Sequence, residues 1–380
     1  MTPEEINERL SKFEEEIHAK SILHMGFPCN FDFDYSPIFP LFKYNLNNLG
    51  DPFDECNYQM HAREFEREAL YWLADVYKLP REEFWGYTAS CGTEGNMHGL
   101  FVARELYPKA RLYFSEDAHY SLKKSAHILQ LDYSIVPSCE NGEMNVSKFE
   151  KILQQHGKRP AVVVINIGTT VKGAIDNLDE ILEVLKRNGI EEHYIHCDGA
   201  LSGLILPFIS EPDAPVINFS KSIDSVAISG HKFIGSPIPY GIVLARKKNI
   251  DKISHEIEYI GSHDSTISGS RGGHTALISW YAFMSRGVEG FKKDVYDCLA
   301  RAQYLYESLV AIHYPKCFLN KWSTTVVFER PSEALIHRHQ LAVQGDLAHV
   351  VVMQQISKER IDEFVEELKE EIKTKVGGEM

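Results

Sequence analysis

Basic residues are in the minority: 40 Lys and Arg stand against 54 Asp and Glu, a net charge of −14. Phosphate binding draws on a basic surplus, so a nucleic-acid partner is not expected. The runs "KRP" and "ARKKN" are short and read as solvated faces. No apolar stretch approaches the length that spans a bilayer, and the N-terminal "MTPEEINERLSKFEEE" is acidic and amphipathic, unlike a secretion signal. Cysteine is sparse: seven residues, an odd number, scattered and without a CxxC pair, which points to free thiols in a reducing compartment. The expectation is a cytoplasmic protein with no membrane partner. No metal is expected either, because His193 and His196 have no third ligand close by in sequence. Internal repeats and low-complexity tracts are absent.

What is present is the composition of a soluble globular enzyme, 44% hydrophobic and 25% charged over 380 residues, enough for one large domain with an appendage or for two. Thr2, Pro3 and Glu5 form a capping box with proline at the first helical position, opening a helix to about Lys20. Pro28, Pro37, Pro40 and Pro52 then mark an irregular segment wrapping over another surface. From "HAREFEREALYWLADVYKL" to about Arg246, strand-like runs ("LYFS", "YSIVP", "AVVVINIG", "HYIHCDGA", "SVAISG", "GIVLAR") are mostly separated by amphipathic stretches such as "NLDEILEVLKRN". That rhythm predicts an α/β fold, a mostly parallel sheet with helices on both faces. A polar loop over 257–274, two long helical patterns and a small C-terminal α+β domain follow. The expected boundaries are residues 1–58, an N-terminal helix and wrapping segment, 59–285, a large ligand-binding domain, and 286–380.

In open α/β sheets ligands sit beyond the carboxyl ends of the strands, and four features fall there. "SCGTEGN" (90–96) leads into a helix whose first N–H groups are free for a phosphate, although such a turn is often only a turn. His119 follows "LYFS", where a histidine is commonly a cap or a surface residue. Asp198 ends "HYIHCD" ahead of Gly199 and Ala200, which leave room for a flat ligand; an Asp there also caps helices. Lys232, in "SGHKFIGSP" (229–237), is either a solvated lysine or a nucleophile that forms an imine with an aldehyde. A cofactor with an aldehyde, a phosphate and a ring nitrogen would need this set of parts together.

With "CGTEGN", "HYS", "NIGTT", "HCDGA" and "SGHKFIG" in this order, the chain closely resembles the group II pyridoxal-phosphate decarboxylases over nearly its whole length, in the branch of bacterial histidine decarboxylases and plant serine decarboxylases. The resemblance implies a fold-type I, aspartate aminotransferase-like architecture. It also implies pyridoxal 5'-phosphate as cofactor and a homodimer or larger assembly with the active site at the subunit interface. By that resemblance Lys232 is the Schiff-base lysine, Asp198 the partner of the pyridine nitrogen, and His119 the residue stacked on the ring near the substrate carboxylate. Gly92, Thr93, Ser229 and His231 match phosphate-binding positions, and Thr170 and Ala200 lie beside the ring. Tyr259 resembles a mobile-loop tyrosine that delivers a proton, reaching the neighbouring subunit's site. Tyr58 and His61 are candidates for substrate contact, with dimer packing the alternative.

The implied reaction is α-decarboxylation of an L-amino acid to CO2 and a primary amine. "ALSGLILPF", "GSPIP" and "EYIGSHDSTISGSR" look like the histidine enzymes and put L-histidine first, giving histamine. "HAREFE", "CGTEGN", "HCDGA" and "HRHQLAVQGDLAHVVVM" look like the serine enzymes, giving ethanolamine. Cys91 and Gly199 depart from the bacterial pattern, and Tyr240 stands where both groups usually carry Cys. An aminotransferase would share Lys232 and Asp198, with Arg330 or Arg338 available for a carboxylate. A non-catalytic binding protein of the same fold is the remaining alternative.

Overall fold

The computed structural model describes residues 1–377, so the last three residues of the expected C-terminal domain lie outside the described range. Helix α1 (Pro3–Leu23) begins at the expected capping box. Thr2 Oγ1 accepts from the Glu5 N–H at 3.2 Å, and Glu5 Oε2 accepts from the Thr2 N–H at 2.7 Å. None of the residues of α1 is buried. The chain divides into two units, Asp32–Tyr296 and Met1–Phe31 with the chain from Asp297 onward.

In the larger unit a short 3-10 helix (Ser36–Lys43) interrupts the irregular segment, and α2 (Arg63–Val76) follows it. Seven strands then form one sheet: β1 (Phe84–Ala89), β2 (Arg111–Ser115), β3 (Tyr133–Val136), β4 (Ala161–Asn166), β5 (His193–Gly199), β6 (Ser225–Ser229) and β7 (Gly241–Arg246). Their order is β1-β7-β6-β5-β4-β2-β3, and only β7 runs against its neighbours. β4 (AVVVIN) is buried at all six positions, the mark of a central strand covered on both faces. Between strands lie α3 (Gly92–Leu106), α4 (Ser121–Ile128), α5 (Val146–Gln155) and α6 (Leu178–Arg187). α6 shows the local logic: the Asn177 side chain caps its N-terminus on the Glu180 N–H, and Leu178, Ile181, Val184 and Leu185 form its buried stripe.

A short α7 (Lys247–Ile250) leads to a two-stranded hairpin, β8 (His255–Ile257) and β9 (Ser262–Asp264), which begins two residues before the segment expected to be a loop and runs into it. α8 (Gly273–Ala311) is two helices joined at Gly287, whose φ of 58° breaks the helix, in line with the two helical patterns read there. In the smaller unit β10 (Phe318–Leu319), β11 (Thr325–Glu329), β12 (Ala342–Gln344) and β13 (Leu347–Val351) form an antiparallel sheet in the order β10-β11-β13-β12. It packs with α9 (Glu333–His339) and α10 (Lys358–Gly377) around a core that includes Val326, Phe328, Val350, Ile361, Phe364 and Leu368. Among the described residues no helix is long and apolar enough to cross a membrane.

Candidate active site

A cavity of about 240 Å3 lies where the parallel strands β4, β5 and β6 end. It is lined by Gly92, Thr93, His119, Thr170, Asp198, Ala200, Ser229, His231 and Lys232, nine of the residues singled out in the sequence, and by Cys91, Asn96, Asn166, Gly168, Leu201 and Pro239. Tyr58, His61 and Tyr259 do not line it within one chain. Tyr259 stands 81% exposed in the turn between β8 and β9.

Helix α3 forms one wall. Cys91 is its N-cap and makes no side-chain hydrogen bond to the first turn, so those N–H groups remain available to an anion. A Cβ on Gly92 would lie 2.5 Å from Ser229 Oγ and 3.4 Å from Ala200 Cβ, and the missing methyl keeps this end of the cavity open. Gly95 and Gly99 let α3 lie close on the sheet: a Cβ would come within 2.9 Å of Ala227 Cβ at the first and 2.2 Å of His196 Nδ1 at the second.

Asp198, 5% exposed at the end of β5, accepts from Asn96 Nδ2 at 2.8 Å through Oδ2 and from the Ala200 N–H at 3.1 Å through Oδ1. Next to it on β4, Asn166 Nδ2 donates to Ser115 Oγ at 3.0 Å and to Asp176 Oδ2 at 2.7 Å. Burial pushes the Asp176 carboxyl up to about 6, against three N–H donors from Asn166 and Met144. His119 precedes α4, where the Ser121 N–H points to its Nδ1 at 3.3 Å and Ser121 Oγ lies 2.8 Å from the same atom. Burial lowers its pKa; Asp198 opposes that shift and Lys232 adds to it.

Lys232 is half-buried in a turn braced from several sides. The Gly230 N–H donates to the Tyr240 carbonyl at 3.0 Å, the Gly235 N–H to the Lys232 carbonyl at 3.1 Å, and the Tyr35 hydroxyl to the Ile234 carbonyl at 2.6 Å. His231 Nδ1 donates to the Tyr240 carbonyl at 3.2 Å, and burial lowers the imidazole pKa. His193 and His196 have opposite strand parity: His196 is buried between Asn96 and Ser225, and His193 bonds the Ile190 carbonyl.

These parts fit a phosphorylated ring aldehyde: free N–H groups beside Ser229, a buried carboxylate, an imidazole and a lysine line one cavity. The architecture is that of fold-type I pyridoxal-phosphate enzymes. L-methionine decarboxylase of Streptomyces sp. 590 superposes with a TM-score of 0.88 over 97% of this chain and 96% of that one, at 24% identity. Glutamate decarboxylase of Lactobacillus brevis superposes with a TM-score of 0.82 over 98% and 92%, at 18% identity.

Residues 62–330 match the pyridoxal-dependent decarboxylase conserved domain, and the chain belongs to that family. Serine decarboxylase 3 of Oryza sativa subsp. japonica is 48% identical over 345 residues, 90% of this chain and 77% of that protein. Histidine decarboxylase of Morganella morganii is 42% identical over 352 residues, 91% of each. The protein is thus a pyridoxal-phosphate-dependent amino-acid decarboxylase, a carboxy-lyase.

Asn96 and Asn166 escaped the sequence reading. Both sit inside quoted motifs, and Asn96 follows Gly92 by four residues, one helical turn on the same face.

Proposed function

We propose that Lys232 is the amine that bonds the cofactor aldehyde, that Asp198 faces the ring nitrogen, and that His119 covers the ring. The observation that carries this is the meeting of all three with the N-terminus of α3 in one cavity. Pyridoxal phosphate, when bound, supplies an electron sink for the pair left on the α-carbon as the substrate carboxylate departs as CO2. Gly92, Thr93, Ser229 and His231 would hold its phosphate, and Thr170 and Ala200 would flank the ring. The Asp198 carboxylate would hold a proton at the ring nitrogen, and the half-buried His119 would cover one face of the ring and exclude water from it. Tyr259 delivers a proton to the α-carbon from a neighbouring subunit. Borohydride reduction of the holoenzyme followed by peptide mapping tests the first assignment. The adduct is expected on Lys232, and an adduct on another lysine would refute it.

Two substrates compete. Rice serine decarboxylases are 42–48% identical to this chain, whereas the bacterial histidine decarboxylases are 41–42% identical, which supports L-serine, giving ethanolamine. L-histidine, giving histamine, is the second reading, carried by the likeness to the histidine enzymes of "GSPIP", whose Pro239 lines the cavity, and of "EYIGSHDSTISGSR". Release of CO2 from a panel of L-amino acids decides between them, and turnover of histidine without serine would reverse the order.

The same proposal includes a cytoplasmic homodimer, with Tyr58 and His61 contacting substrate in the assembled site. In support, α1 exposes Ile6, Leu10, Phe13 and Ile17, spaced to share one helical face. Sedimentation of the holoenzyme as a monomer at micromolar concentration would refute the dimer.

A further inference from the structure

Tyr194, His196 and Asp198 alternate along β5 and so share one face of the strand. A continuous hydrogen-bonded chain joins them. The Tyr194 hydroxyl lies 3.0 Å from Ser225 Oγ, Ser225 Oγ 2.8 Å from His196 Nδ1, His196 Nε2 3.0 Å from Asn96 Oδ1, and Asn96 Nδ2 2.8 Å from Asp198 Oδ2. A branch runs from Asn96 Nδ2 to Ser121 Oγ at 3.3 Å and on to His119 Nδ1 at 2.8 Å. Tyr194, His196 and Ser225 are fully buried and Asn96 is 1% exposed, so water does not compete for these bonds.

The direction of the chain follows from its far end. Among the described residues Ser225 is the one hydrogen-bond partner of the Tyr194 hydroxyl, so Tyr194 must donate to it. Ser225 then gives its own hydrogen to Nδ1 of His196, and a neutral His196 carries its proton on Nε2. That N–H selects Oδ1 of Asn96, which leaves the Asn96 amide nitrogen, with its two hydrogens, for Asp198 and Ser121. Run in reverse, the chain would bury the Tyr194 hydrogen without an acceptor and set the amide oxygen against a carboxylate, an arrangement open only to a protonated Asp198. Burial holds His196 neutral, lowering its pKa to about 4 although Asp198 pulls the other way.

We propose that His196 is a positioning residue acting through Asn96: its Nε2–H holds the amide so that Asp198 stays ionised toward the cofactor and Nδ1 of His119 stays an acceptor. This rests on the reading of Asp198 as the partner of the ring nitrogen. Gly99 belongs to the same device, since any side chain there would displace the imidazole.

Histidine-selective 15N spectra of the holoenzyme test the tautomer directly, whatever the role of Asp198. A neutral Nε2–H His196 that does not titrate between roughly pH 5 and 8 is expected. An Nδ1–H form, or titration near the ordinary histidine pKa, would overturn the proposal. Cofactor dissociation and absorbance provide the second readout. His196→Leu should weaken cofactor retention about tenfold and shift the absorbance toward the form with an unprotonated ring, and His196→Gln, which keeps a donor, should recover part of both. Wild-type retention and spectrum in both variants, with only the Tm lowered, would reduce His196 to packing and sink the idea. If His196→Leu does not fold, Ser225→Ala removes the donor to Nδ1 and serves in its place, and an unchanged Nε2–H signal and retention there would count against it equally. A wild-type spectrum in Asp198→Asn beside the expected tautomer would overturn the reading of Asp198 and leave the His196–Asn96 orientation supported.

Discussion

A Cβ on Gly230 would lie 1.9 Å from Cζ of Tyr240, so the residue two before Lys232 can be only glycine while that ring lies beneath it. Tyr240 is fully buried, and its hydroxyl shares a 2.8 Å hydrogen bond with Ser279. Its carbonyl receives the Gly230 N–H and His231 Nδ1, so the same residue braces the lysine turn by ring and by backbone. Tyr240 is therefore part of the support of the lysine turn.

Two substitutions test that coupling. Gly230→Ala is expected to cost about 3 kcal/mol through overpacking, and Tyr240→Cys about 3–5 kcal/mol through the cavity it leaves. Together they should cost well under the sum, because removing the ring also removes the clash that the alanine would create. Chemical denaturation of the two single variants and the double variant measures the coupling, and strictly additive losses would show that the ring does not constrain Gly230.

His98 lies fully buried on α3, stacked on Trp85 at 5.2 Å, with Nε2 donating to the Ser265 carbonyl at 2.9 Å. Burial lowers its pKa to about 4. The unfolded chain therefore takes up a proton at this site near the ordinary histidine pKa of 6.5, while the folded chain does so only near 4. Stability from this residue is complete above pH 6.5 and is lost as the pH falls toward 4, by roughly 3 kcal/mol in all. Denaturation of His98→Phe across that window should show a shallower loss than the wild type. Parallel curves would place the neutral histidine elsewhere.

Arg271 and Glu66 form an ion pair with both side chains at most 1% exposed. The Thr88 N–H and hydroxyl and the Asn48 amide complete the shell of the Glu66 carboxylate, and Arg271 also donates to the Gly50 carbonyl at 2.8 Å. Arg271→Met would leave that carboxylate buried without its countercharge and is expected to cost about 3–5 kcal/mol. Adding Glu66→Gln should return much of the loss, as read from urea midpoints at a constant m-value.

Much of the central sheet was legible because its strands carry short apolar runs that end in residue types that do chemistry, as in "AVVVIN" and "HYIHCDG". Lys232, Asp198 and His119 were visible for that reason. Asn96 was not, because its role arises from contacts with Asp198 and His196, 102 and 100 residues away along the chain. The insertion of β7 between β1 and β6 was likewise beyond the sequence pattern, since periodicity reports burial and not the neighbour that provides it. The β8–β9 hairpin hid inside a polar stretch because its strands are three residues long and largely exposed.

Tyr259 gives the sharpest test of the proposed chemistry. It stands 81% exposed between two short strands, outside the cavity of its own chain, and so exposed a phenol contributes little to the stability of the fold. Tyr259→Phe should therefore leave Tm and cofactor retention unchanged. If its hydroxyl delivers the proton to the α-carbon in a neighbouring subunit, loss of that hydroxyl lowers the amine yield by on the order of 10²-fold and lets a carbonyl product accumulate. Mixing Tyr259→Phe with Lys232→Ala subunits separates the two chains: a hybrid dimer has one site with both native residues only if the tyrosine acts across the interface. Recovery of activity in the mixture supports that arrangement, and clean turnover by Tyr259→Phe alone would remove the tyrosine from the reaction.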